Sequence, residues 1–184
     1  MAEFKSELLE EWQELRSDID QLFYYVEEED FLRKGKGKNA WSVKEVLYHI
    51  NLTNQHYLEQ MRELPQKAEP QKLHSSIFGR SIMKSMPKAT KGQSKRKHKT
   101  RSKVDPRVKQ KQGYAIVEKV VFSEMLRDLD EMKKWIEGLP QNGLHNQKLK
   151  TLMPLFKMYG HEALASLIRH QRRHIAQAED ILKS

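Results

Sequence analysis

The chain has 184 residues, 38% hydrophobic and 32% charged, and a net charge of +9. It has no cysteine, which excludes disulfides, thiolate metal ligands and a cysteine nucleophile. No stretch approaches the ~20 apolar residues of a membrane span, and the charged N-terminus has no signal-peptide core. A single cytoplasmic domain spanning 1–184, with no membrane partner, is therefore expected.

The first helix is predicted over 3–26. Leu8, Trp12, Leu15, Ile19, Leu22 and Val26 recur at alternating spacings of four and three, a stripe suited to a left-handed bundle. Glu27-Glu28-Glu29-Asp30 and Lys34-Gly35-Lys36-Gly37-Lys38 then break the pattern as a loop.

Ser42 and Glu45 form the capping box S-x-x-E that opens a second helix, and Trp41 before the cap suits a hydrophobic staple to Val46. That helix runs to about residue 64, where Pro65 stops it.

Residues 65–113 differ from the rest. Between 67 and 111 stand 15 Lys/Arg against Glu69 and Asp105, a net of +13 that leaves −4 for the remainder. The segment holds Pro65, Pro70, Pro87 and Pro106 and the run Lys95-Arg96-Lys97-His98-Lys99-Thr100-Arg101. Apart from a short helix compatible with 76–85, it reads as a long, mobile, basic connection.

A third helix is predicted over 117–137, with Phe122, Met125, Leu129, Met132 and Ile136 on one stripe and Gly138 as its C-cap. A linker with Pro154 and Gly160 follows, and a fourth helix spans 161–182. No strand-like alternation of useful length is visible. Four amphipathic helices of this length predict an all-α four-helix bundle.

The fourth helix carries His170-Gln171-Arg172-Arg173-His174. An i, i+4 pair stacks both rings on one face, so two imidazoles can grip one ion from a single rigid element. The spacing alone also occurs by chance. Here, however, both rings interrupt the inward stripe of Leu164, Leu167, Ile168, Gln171, Ile175, Ala178 and Ile181, and buried polar groups need partners. His49, beside Val46, Ile50, Thr53 and Tyr57 on the second helix, offers a third donor. Three protein ligands leave positions open, as catalytic sites do.

The stretch Trp41-Ser42-Val43-Lys44-Glu45-Val46-Leu47-Tyr48-His49-Ile50 resembles the start of the second helix in the DinB/YfiT-like superfamily. The stretch Met153-Pro154-Leu155-Phe156, followed by His170-Gln171-Arg172-Arg173-His174-Ile175-Ala176-Gln177, resembles that family's last helix and its lead-in. The resemblance implies a metal-binding four-helix bundle, often dimeric, with His49, His170 and His174 as ligands of zinc or nickel. It implies a thiol-dependent S-transferase or isomerase, or a metal-dependent hydrolase. A thiolate nucleophile would have to come from a low-molecular-weight cosubstrate, because the chain supplies none.

Other residues have simpler readings. His56 is too far along the helix to share the ion, at ~1.5 Å of rise per residue. It reads as a groove or surface residue. His161 belongs near a helix start, and His74, His98 and His145 fall in expected solvent-exposed loops. Glu45 is explained by its capping box before any role beside His49. Gln177, one turn after His174, either orients that ring or faces solvent. Arg172 and Arg173 face solvent or an acidic neighbour. The alternative function is a binding protein whose basic run over 95–111 docks on nucleic acid or another anionic partner. The run has neither zinc-finger spacing nor interleaved aromatics for stacking bases, so a solvated loop is the preferred reading.

Overall fold

The structure, a computed structural model, describes residues 2–64, 74–77, 79–81 and 100–184. Among the described residues, the helices bounded at both ends are α1 (Ala2–Tyr25), α2 (Val43–Arg62), α3 (Pro106–Lys111), α4 (Glu118–Glu137) and α5 (Gly160–Leu182). Two short strands, β1 (Lys148–Lys150) and β2 (Lys157–Tyr159), form an antiparallel hairpin between α4 and α5.

The four long helices form the bundle. Each of α1 and α2 packs against both α4 and α5. The stripe read from the first helix is its buried side, with Leu8, Trp12, Leu15, Ile19 and Leu22 all inside. Trp12 uses its polar end as well, donating from Nε1 to the Leu129 carbonyl of α4 at 2.9 Å. Met125, Leu129, Met132 and Ile136 of α4 and Leu164, Leu167, Ile168, Ile175 and Ala178 of α5 complete one continuous core. A buried ion pair ties α1 to α5, with Arg169 Nη2 and Nε donating to the Glu11 carboxylate at 2.7 and 2.9 Å.

Helix ends follow local chemistry. Ser42 caps α2 by accepting from the Glu45 N–H, and the Glu45 carboxylate accepts from the Ser42 N–H at 2.8 Å. Gly138 closes α4, but in a right-handed conformation with φ −75°. Gly160 opens α5 where a Cβ would lie 2.3 Å from Leu144 Cδ1, so a larger residue cannot stand there without moving the loop before it.

Three sequence expectations are corrected. The linker before the last helix contains the hairpin, whose three-residue strands are too short to show alternation. His145, expected in solvent, is fully buried. The C-terminal end of the basic connection is built rather than loose: a 3₁₀ turn at Ser102–Val104 leads into α3, with Asp105 as N-cap and Pro106 at the first helical position. Residues 77 and 79–81 are helical, within the short helix compatible with 76–85. The rest of that span, His98 and the run 95–99 lie outside the described residues.

Candidate metal centre

Residues of α2 and α5 meet at three imidazoles. The ring centroids of His49 and His170 are 5.1 Å apart, those of His49 and His174 4.8 Å, and those of His170 and His174 4.5 Å. One ligand nitrogen from each lies within 4.8 Å of the others. Among the described residues this is the only group of three or more His, Asp or Glu so arranged. The sequence therefore identified all three members, and the packing of α2 on α5 brings them together.

Hydrogen bonds decide which nitrogens face the centre. His49 Nδ1 lies 2.7 Å from the Val104 carbonyl. A carbonyl only accepts, so Nδ1 carries the proton and Nε2 keeps its lone pair. His174 Nδ1 lies 2.9 Å from Gln177 Oε1 and is oriented in the same way. Gln177 thus takes the first of its two sequence readings. The Nε2 atoms of His49 and His170 face each other at 3.3 Å. His170 Nδ1 is buried with no hydrogen-bond partner.

The surroundings keep these rings neutral. Burial pushes the His49 imidazole below its ordinary value, against a smaller opposing effect of the Val104 carbonyl. Burial, and then the neighbouring His174 and His49, push His170 well below. His174 is pushed down to about 3, first by burial and then by His49. Neutral imidazole is the form that binds a metal.

The donor set fits a divalent ion. Two nitrogens at ~2.0–2.1 Å from a tetrahedral ion lie roughly 3.3 Å apart, and His49 and His170 show that separation. Three imidazoles suit zinc and nickel alike.

The centre opens on a groove of about 660 Å³ lined by His174, Arg173, Gln177, Trp41, Asp105 and Ile181, among others. Trp41 packs its ring 5.0 Å from that of His49, forming one wall.

A feature the sequence reading missed is the strap that holds His49. Arg107 on α3 reaches Glu45 at 2.9 Å and donates to the Ala40 carbonyl at 2.6 Å. Burial alone would push the Glu45 carboxyl up, but Arg107 and Ser42 outweigh it and hold the group below its ordinary range. Glu45 is thus both a cap and an anchor. Lys103 Nζ donates to His56 Nδ1 at 2.9 Å, and His56 Nε2 contacts the Lys150 carbonyl at 3.1 Å. His56 is thus held between the strap and β1 and lies outside the three-imidazole group. The signal for the strap was present in Asp105-Pro106, an N-cap followed by proline at N1. Arg172 finds the acidic neighbours expected of it, Glu14 at 2.6 Å and Asp18 at 3.7 Å.

Residues 7–178 match the family model described as the DinB superfamily. No curated protein and no solved structure matches the chain.

Proposed function

The chain belongs to the DinB superfamily, and from that premise we propose that it is a divalent-metal-dependent enzyme whose ion is held by His49, His170 and His174. The single observation that carries this reading is the convergence of three buried or half-buried imidazoles, two of them oriented by hydrogen bonds, beside an open groove.

An ion held there would act as a Lewis acid, lowering the pKa of water or of a thiol cosubstrate at a position the protein leaves open. The chain's own residues supply the rest. Val104 and Gln177 hold two rings in the tautomer that presents Nε2. Trp41 and Ile181 give the groove apolar walls, while Arg173 and Asp105 offer charge of both signs to a polar substrate. The reaction proposed is group transfer from a low-molecular-weight thiol, or hydrolysis. Zinc or nickel is the proposed ion, and a cytoplasmic homodimer the proposed form.

The test is metal content per chain by elemental mass spectrometry on tag-free protein, after incubation with zinc or nickel and gel filtration. About one equivalent is expected, with loss in His49→Ala and in His170→Ala. A wild-type protein that emerges without metal, or variants that keep it, would refute the assignment.

A further inference from the structure

His49 and His56 lie two turns apart on α2, and the strap over them, Ser102–Val104 with α3, touches both. The two rings are held in opposite tautomers. His49 gives its Nδ1 proton to the Val104 carbonyl at 2.7 Å. His56 does the reverse. Lys103 Nζ stands 2.9 Å from His56 Nδ1, and an ammonium has only protons to offer, so Nδ1 keeps its lone pair. His56 Nε2 then carries the proton and donates to the Lys150 carbonyl at 3.1 Å. Gln60 braces that carbonyl, donating to it from Nε2 at 3.1 Å and accepting the Lys150 N–H at 2.9 Å. The ring is therefore fixed from the hairpin side, and its one lone pair faces the strap.

The Val104 carbonyl lies between two polar anchors of the strap. On one side Arg107 grips Glu45 at 2.9 Å. On the other, Lys103 reaches His56. Lys103 and Val104 share one planar peptide unit, so a shift of the first is passed to the second.

A proton on His56 removes one anchor outright. The imidazolium has N–H at both nitrogens, so Nδ1 would turn a hydrogen toward an ammonium group, and the contact becomes repulsion between two cations. Among the described residues, Lys103 faces the ring from the strap, Glu59 from its own helix, and the Lys150 and Thr151 carbonyls from the β1 side, while the Tyr57 ring stands edge-on at 4.9 Å. Burial, and then Lys103, push the imidazole below its ordinary value, against the smaller opposing effects of the two carbonyls and Glu59. The ring is thus neutral at pH 7.5, and the anchor is lost as pH falls below the ordinary ~6.5.

We infer that His56 is a positioning residue for the candidate centre: its neutral ring latches the strap, and taking up a proton releases the Val104 carbonyl from His49 and loosens the hold on a metal ion. Only the last step rests on the assignment of an ion to the three histidines. His56 offers that ion no lone pair and acts through Lys103 and Val104. An amide side chain could also accept from Lys103, but histidine makes the contact depend on a proton.

The experiment has two readouts on the full chain, each at about pH 7.5 and about pH 5, on either side of the ordinary imidazole value. Zinc affinity is measured by competition with a chelator. In metal-free protein carrying isotope-labelled histidine, NMR follows exchange of the His49 Nδ1–H with water. Two variants separate the outcomes. His56→Leu removes the lone pair and keeps an apolar body. His56→Asn puts an amide oxygen, which takes no proton, near the place of Nδ1. His56→Leu should weaken zinc binding about tenfold at the higher pH and match wild type at the lower, where wild type has lost the anchor too. His56→Asn should match wild type at the higher pH and bind about tenfold tighter than wild type at the lower. The His49 Nδ1–H should exchange slowly wherever the anchor stands and faster where it is gone. The proposal is overturned if His56→Leu binds as wild type does at the higher pH, if it is weaker by one factor at both, or if His56→Asn behaves as His56→Leu. Should wild type take up no zinc, the assignment of the ion falls and the Nδ1–H decides alone: equal exchange in wild type and His56→Leu overturns the latch.

Discussion

Burial acts with opposite signs on the ionisable side chains of this core. The imidazoles of the candidate metal centre and His161, which falls to about 4, are held neutral at pH 7. Asp128 goes the other way: burial inside the bundle raises its carboxyl to about 6 against the opposing pull of Arg127. Arg127 reaches it at 3.1 Å, but its own side chain is 63% exposed and its charge is screened by water. A folded-state value above the unfolded ~3.9 means that Asp128 stabilises the fold fully below about pH 4 and loses that contribution as pH rises through about 6. At pH 8 the native state must bury the charge. Asp128→Asn is therefore expected to stabilise the protein at pH 8, by about 2–3 kcal/mol, and to change little at pH 4. Urea unfolding at the two pH values checks this, and equal effects at both would contradict it.

Among the elements, the strap formed by Ser102–Val104 and α3 has the clearest consequence. Its three attachments run along one face of α2, because positions 45, 49 and 56 are separated by four and seven residues. Arg107 holds Glu45, Val104 holds His49, and Lys103 holds His56. The proposed metal ligand, His49, is the middle contact. Removing the guanidinium should loosen α3 and let the Val104 carbonyl drift from Nδ1, while Glu45 still caps α2. Arg107→Ala is thus expected to weaken metal binding by about 10- to 100-fold, the range seen when groups that orient ligands are lost, with little change in the melting temperature of the metal-free protein. Competition with a chromophoric chelator measures it. An unchanged dissociation constant would show that Val104 keeps its place without Arg107.

For the whole molecule, the three histidines join two helices that have no covalent link nearby. His49 belongs to α2, and His170 and His174 belong to α5. An ion held between them binds the native state and not the unfolded chain, so it stabilises by mass action. Free metal at a hundredfold above its dissociation constant should add about 2.7 kcal/mol, read as a rise in melting temperature with zinc or nickel. His170→Ala should abolish that rise. A rise that survives the substitution would place the ion elsewhere.

Most of the helical framework was legible in the amino-acid sequence because it is encoded locally. The stripe of α1, the Ser42–Glu45 cap of α2 and the end of α4 at Gly138 each depend on residues within a few positions of one another. The i, i+4 histidines were legible for the same reason, and His49 was found through its place beside the inward face of α2. What escaped was chosen by packing. The partner of His49 Nδ1 is a backbone carbonyl 55 residues away, and a carbonyl has no side chain to advertise it. His145 is buried because the segment before the hairpin folds inward, which no periodicity announces. The strands are three residues long and take their register from each other and from Gln60 of α2. Periodicity and caps thus determined the helices and nominated the ligands. Only the packing of α2 on α5, with the strap laid across α2, decided which nitrogens face the centre.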